Sequence, residues 1–192
     1  MKDQPLVQRD LPYGFDALQP AMSEEQVRLH YFRNQAGYVR RANAILVQAD
    51  HDMAKAPTSV WKRFTFNRSG AELHELLWGS LCPGGEAPSD RLVTVLVDLG
   101  AGSAGLDLRD AALSVEGSGW ACLSYVLGRI EVHTVKDHDY PWSSHIPLVV
   151  LDVWEHAYAS DWWNDRKGYV EALLPLINWR YVEDRLGWAG VL

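Results

Sequence analysis

In the segment Leu148-Val-Val-Leu-Asp152-Val-Trp-Glu-His156, a carboxylate closes an apolar run and an imidazole follows four residues later. Burying an ionised aspartate costs several kcal/mol unless a cation or strong donors receive the charge. A histidine four residues on could face the same cation. His30, between Leu29 and Tyr31, and His74, between Leu73 and Leu76, each sit on the apolar side of a helical pattern. Singly, either histidine reads more readily as a hydrogen-bonded core residue than as a ligand, and Asp152 could be satisfied by backbone amides. Taken together, the four could form a site of three imidazoles and one carboxylate. Such a donor set suits manganese, iron or zinc, and the lack of thiolate argues against copper(I) or an iron–sulfur cluster. An open coordination position would admit substrate or solvent.

These residues require helices that converge on the end of a strand. Ser23 with Gln26 three residues on has the form of a capping box, opening a long helix to about Val47. His30 and Tyr38, eight residues apart, share its apolar face. Residues 50–69 are mixed and polar, with Pro57 as a breaker. A second helix is predicted from about Gly70 to Leu81, with Leu73, Leu76, Leu77 and Leu81 as its apolar side. Cys82-Pro-Gly-Gly-Glu-Ala-Pro-Ser89 reads as a linker, which divides the chain into a helical hairpin domain, 1–82, and an α/β domain, 83–192.

Ser89 caps a third predicted helix to about Leu99, and a fourth runs from near Leu106 to Val115. After Gly117 the period changes. Trp120–Leu127 and Arg129–Val135 suggest a β-hairpin, and Pro147–Val153 reads as a buried strand. From Asp161 to Leu186 helical spacing returns, with Pro175 as a kink. No internal repeat is visible. The expected class is α+β: an N-terminal helical hairpin domain, then a C-terminal domain with a small antiparallel sheet flanked by helices.

The 192 residues are 47% hydrophobic and 22% charged, an ordinary globular composition. Eighteen basic against 25 acidic residues give a formal charge of −7 without a basic patch, which argues against a nucleic-acid partner. Only Cys82 and Cys122 are present, far apart, so a reducing compartment is expected. The N-terminus reads as neither a signal nor a transit peptide, and no apolar run reaches membrane-spanning length. A cytoplasmic protein without a membrane partner is the expectation. The nine Trp read chiefly as core and interface packing.

From Leu11 to about Leu186 the chain resembles the iron/manganese superoxide dismutases. Leu11-Pro-Tyr-Gly-Phe-Asp-Ala-Leu18 is similar to that family's opening, and Val27-Arg-Leu-His30 with Tyr38-Val39 to its first-ligand helix. Phe66-Asn67 and His74-Glu-Leu-Leu-Trp78 resemble its second-ligand helix, followed by the Pro-Gly-Gly-Glu linker. Gly117-Ser-Gly-Trp120, Asp152-Val-Trp-Glu-His156-Ala-Tyr158 and Asn178-Trp179 complete the resemblance.

The resemblance implies one Mn or Fe ion per chain, held by His30, His74, Asp152 and His156. It makes Tyr38 the outer-sphere phenol at a substrate funnel and Trp120, Trp154 and Trp78 its apolar walls. It assigns to Glu155 a reach across a subunit interface to His156 of the other copy, in a homodimer or homotetramer. Most relatives set a glutamine against the metal-bound solvent. Here Gly70 stands at one of its two usual positions, and His138 is expected at the other. Two departures alter the family's gate: Asn34 replaces a histidine and Ala159 a tyrosine. Leu73 stands where an asparagine is usual.

The function so implied is conversion of superoxide to dioxygen and hydrogen peroxide by an oxidoreductase. The substrate is an anion, so local positive charge, from Arg33 or Arg180, must guide it to a chain of net charge −7. Two other readings remain at this level. One is a zinc hydrolase. The other is a metal-binding member of the same fold with a structural role and little dismutase activity.

Overall fold

The computed structural model describes residues 2–192. Residues 24–80 form a hairpin of two long helical segments. The chain enters α1 (Glu24–Leu29) through Ser23, whose hydroxyl accepts the Gln26 amide at 3.1 Å. One π-helical turn, His30–Gln35, leads into α2 (Ala36–Gln48), and the Ala36 amide reaches back five residues to the Tyr31 carbonyl. In an unbroken α-helix, residues eight apart stand about 80° out of line. A wider turn takes up much of that offset, so His30 and Tyr38 both face inward, as their spacing suggested.

α3 spans Thr58–Ser80. The sequence placed its start near Gly70, because Lys62, Arg63, Thr65 and Arg68 blur the apolar period. Pro57 stands immediately before the helix, where its missing N–H and fixed φ favour a start rather than a break. The outer end of the hairpin closes over a small core of Ala42, Ile45, Leu46, Met53 and Phe64. The N-terminal arm is laid along α2 by Asn43, whose amide brackets the Leu6 backbone at 2.8 and 2.9 Å.

The helices α4 (Asp90–Asp98) and α5 (Ala104–Ser114) follow, with Ser89 capping α4 as expected. Three antiparallel strands come next: β1 (Gly119–Val126), β2 (Arg129–Lys136) and β3 (Ile146–Asp152), in the order β2-β1-β3. Leu127 and Gly128 form the two-residue turn, both at positive φ (48° and 91°). Such a turn matches the right-handed twist of the strands it joins. β1 is covered on both faces, which explains its near-continuous apolar sequence. It pairs Trp120 with Asp152, so the sheet presents an aromatic wall beside the carboxylate.

The last stretch is three helices: α6 (Glu155–Trp162), α7 (Arg166–Leu173) and α8 (Trp179–Trp188). The expected kink at Pro175 is a full break, a 3₁₀ turn over Leu174–Leu176 between α7 and α8. α6 begins earlier than the spacing indicated, directly after Trp154. The main core runs from Leu18, Val27, Leu73 and Leu77 through Trp120, Leu123 and Val150 to Tyr169 and Leu186. It joins the inner end of the hairpin to the sheet, and the four chemistry-bearing residues lie at that junction. Among the described residues, no helix is long and apolar enough to cross a membrane.

Candidate metal centre

Four elements deliver one donor each: His30 from the π turn, His74 from α3, Asp152 from the end of β3 and His156 from α6. Their ligand atoms all lie within 4.8 Å of one another. His30, His74 and Asp152 are fully buried, and His156 retains 21% of its side-chain exposure. The Nε2 atoms of His30, His74 and His156 stand 3.1, 3.7 and 3.3 Å from Asp152 Oδ2. Donors about 2.1 Å from a shared ion, at angles of 90° to 120°, lie roughly 3.0–3.6 Å apart. The observed spacings fit that pattern.

Hydrogen bonds to two of the four, His74 and Asp152, fix which of their atoms face inward. His74 Nδ1–H donates to the Gly70 carbonyl at 2.6 Å, which leaves the Nε2 lone pair free. The Trp154 amide donates to Asp152 Oδ1 at 2.8 Å, turning Oδ2 toward the imidazoles. His74 Nε2 and His156 Nε2 are buried without hydrogen-bond partners. Orphaned lone pairs beside a buried carboxylate are the condition that a cation relieves. The residues present therefore fit a divalent or trivalent first-row ion.

Electrostatics agree with the geometry. Burial pushes the Asp152 carboxyl up, but the adjoining His156 and His30 outweigh it and hold the group well below the usual carboxylate range. Burial lowers His30, and burial together with His30 holds His74 well below its ordinary value. Neutral His30 and His74 beside an ionised Asp152 are protonation states that metal binding requires.

His138 is in the loop that follows β2 and is 1% exposed. Its Nδ1 accepts from the Trp120 indole at 3.1 Å. Indole only donates, so the neutral ring carries its proton on Nε2, which is buried without a partner. Burial lowers His138 to about 4. The ring stacks on Trp154 at 4.7 Å and meets Tyr38 edge-on at 4.7 Å. Tyr38 also tilts against His74 at 5.3 Å, and burial with the nearby Asp152 pushes its phenol up to about 12. Trp120 packs against His74 at 5.1 Å and Trp78 against His30 at 5.1 Å. The structure thus brings together Tyr38, His138, Trp120 and Trp154 around the four donors. Glu155 lies apart on the exposed first turn of α6, beside His156. Asn34 is half-buried and Ala159 exposed, and neither forms part of the inner cluster.

Two supporting residues escaped sequence reasoning. Gln35 is buried, accepts from the Trp78 indole at 2.8 Å and donates to Glu75 at 3.0 Å, which pins the wall against His30. Gln26 was read as half of a capping box. Its side chain instead donates to the His156 carbonyl at 2.7 Å and accepts from the Ser160 hydroxyl. The Ser23 amide, which a capping box would have bonded to Gln26, goes to Asp161 at 2.7 Å. Neither stands in an apolar run, since Gln26 follows Glu24-Glu25 and Gln35 follows Arg33-Asn34, so the sequence carried little signal for either.

Known proteins match over most of the chain. Residues 8–82 match the α-hairpin domain and residues 104–185 the C-terminal domain of the iron/manganese superoxide dismutases. A superoxide dismutase [Fe] of Methanothermobacter marburgensis is 38% identical over 189 residues, covering 92% of this chain and 93% of its own. A mitochondrial superoxide dismutase [Mn] 2 of Arabidopsis thaliana is 36% identical, covering 91% of this chain and 79% of its own. A superoxide dismutase [Mn/Fe] of Aeropyrum pernix is 32% identical, covering 92% and 88%.

Proposed function

The chain belongs to the iron/manganese superoxide dismutase family and is an oxidoreductase acting on superoxide, and from that premise we propose how its residues divide the work. His30, His74, Asp152 and His156 would hold a single Mn or Fe ion, and the convergence of their donor atoms within 4.8 Å carries this reading. The chemistry supplied by such an ion is one-electron transfer: one superoxide is oxidised to dioxygen, and a second is reduced, with two protons, to hydrogen peroxide.

The chain's own residues orient, exclude water and hold protons. Gly70 and Trp154 fix His74 and Asp152 through backbone groups. Trp120, Trp78 and Trp154 form the dry walls, which strengthen every electrostatic interaction inside them. His138 would present Nε2–H to an oxygen species bound at the site, in the role that glutamine fills in most relatives. Tyr38, held protonated, would pass a proton inward from its hydroxyl. The zinc-hydrolase reading has no support from the comparisons, and the reading as an inactive family-fold protein is not favoured.

Glu155, exposed beside the one partly exposed ligand, would orient the partner's His156 in a homodimer or homotetramer. Two free thiols, Cys82 and Cys122, support a reducing, cytoplasmic setting. The linker after Cys82 supports division of the chain into 1–82 and 83–192. The test is reconstitution with iron or manganese separately, with metal counted per chain and superoxide removal assayed. About one redox metal per chain with fast turnover supports the assignment, and bound metal without turnover refutes it.

A further inference from the structure

The substrate carries a negative charge and the chain carries −7, so the net field opposes approach. Arg33 and Arg180, considered from the sequence as guiding cations, are poorly placed. Arg33 lies in a groove with Glu25, Arg28 and Phe32, and Arg180 is on the exposed side of α8. Neither is among the charges that act on Tyr38, His138 or Asp152.

Arg41 is differently situated. Its guanidinium carbon lies 4.7 Å above the Tyr38 ring, and its Nε–H donates to Asn67 at 2.8 Å. Asn67 is buried and anchored in turn to the Arg63 carbonyl at 2.7 Å. Gly37, one turn earlier on α2, clears the path, since a β-carbon there would stand 3.1 Å from Arg41 Nη1. No ion pair among the described residues involves Arg41. Its charge acts on both Tyr38 and His138. Lys62 and Arg63 line the same cavity of about 480 Å³, with Phe66 between them and the His138 ring at 4.9 Å. Asp152 and, more weakly, Asp137 are the opposing charges that act on Tyr38.

We propose that Arg41, fixed by Asn67 over the face of Tyr38 and flanked by Lys62 and Arg63, is the cation that draws the superoxide anion to the site. The proposal rests on the dismutase reading. It makes Arg41 a residue of capture rather than of electron or proton transfer, so its effect falls on kcat/KM and not on kcat.

The experiment measures kcat/KM against ionic strength from about 10 to 300 mM for the metal-loaded wild type, Arg41→Gln, Arg41→Lys and Arg33→Gln. The expected wild-type value falls as salt rises, although a field set by the net charge would make it rise. Arg41→Gln is expected to lower kcat/KM roughly three- to tenfold at low salt, flatten the slope and leave kcat within about twofold. Arg41→Lys should restore the slope, which a purely structural role through the Asn67 fork would not permit, and Arg33→Gln should leave it unchanged. Binding of azide, an unreactive small anion, measured calorimetrically, should weaken in Arg41→Gln by a similar factor. A wild-type rate that rises with salt overturns the proposal whether or not any variant folds, as do equal slopes for wild type and Arg41→Gln. A metal-loaded wild type without turnover overturns the dismutase reading and the proposal with it.

Discussion

Gly70 and His138 divide one space between them: a β-carbon at position 70 would lie 3.0 Å from His138 Cδ2 and 3.0 Å from the Tyr38 ring. The missing side chain on α3 is therefore the reason the loop histidine can reach the site. Gly70→Leu, whose side chain has no amide to replace the imidazole, is expected to displace His138 while the backbone carbonyl that orients His74 remains. Metal content should stay near one per chain and dismutase activity fall about ten- to hundredfold. Gly70→Ala needs the rings to yield only by tenths of an ångström and should lose much less. Metal analysis with pulse-radiolysis kinetics checks both. Full activity in Gly70→Leu would remove His138 from the mechanism.

The burial of His138 has a signature in stability. Its value in the folded chain is about 4, against about 6.5 in an unfolded one. Above pH 6.5 both states hold a neutral ring, so His138 adds no pH dependence. As pH falls through 6.5 toward 4 the unfolded chain binds the proton first, and stability declines with it. Between pH 6.5 and 5 the decline comes to roughly 2 kcal/mol. His138→Gln should lack that component, so denaturant unfolding in one fixed metal state should show a smaller loss over the interval than wild type. Equal losses would show that His138 is not shielded as described.

Much of this was legible in the sequence, for identifiable reasons. Asp152 after Leu148–Leu151 announced a buried charge, and burial allows few solutions to that problem. The 127–128 turn and the caps at Ser23 and Ser89 are local chemistry, which sequence encodes directly. The first half of α3 was not legible, since its face toward α2 is narrow and its outer face is charged. The π turn at His30–Gln35 left no mark in apolar spacing, because it changes which way residues point rather than which are apolar. Gln26 and Gln35 gave little sign of burial, because their partners lie 130 and 43 residues away and only the fold assembles them. Arg41 was hidden for the same reason, since its meaning comes from Tyr38 beneath it and Asn67 across the hairpin.

Removal of the metal should destabilise the protein, and Asp152 should be required for that effect. A ligand that binds only the folded state stabilises it by about 4 kcal/mol at a thousand times its dissociation constant. Chelation of the wild type is therefore expected to lower Tm by several degrees. In Asp152→Ala the three imidazoles lose their only anionic companion, and metal should no longer bind at stoichiometric concentration. Calorimetric scans with and without added manganese should then coincide for the variant and differ for the wild type. A metal-dependent rise in the Tm of Asp152→Ala would place the ion elsewhere.

Glu155 and His156 are adjacent at the exposed start of α6, and His156 is the one of the four converging donors with appreciable exposure, at 21%. A partner subunit laid over this surface would bury both, and a carboxylate from each copy could then orient the other copy's imidazole. Metal retention should accordingly depend on protein concentration in wild type, because dissociation uncovers the ligand. Glu155→Gln keeps the shape and removes the charge. It should weaken self-association and raise the rate of metal loss to a chelator about tenfold, with little change in monomer fold by circular dichroism. The check is sedimentation velocity over a dilution series, run beside a chelator assay on the same samples. Wild type that stays monomeric at high concentration, or metal loss independent of dilution, would separate His156 from any interface.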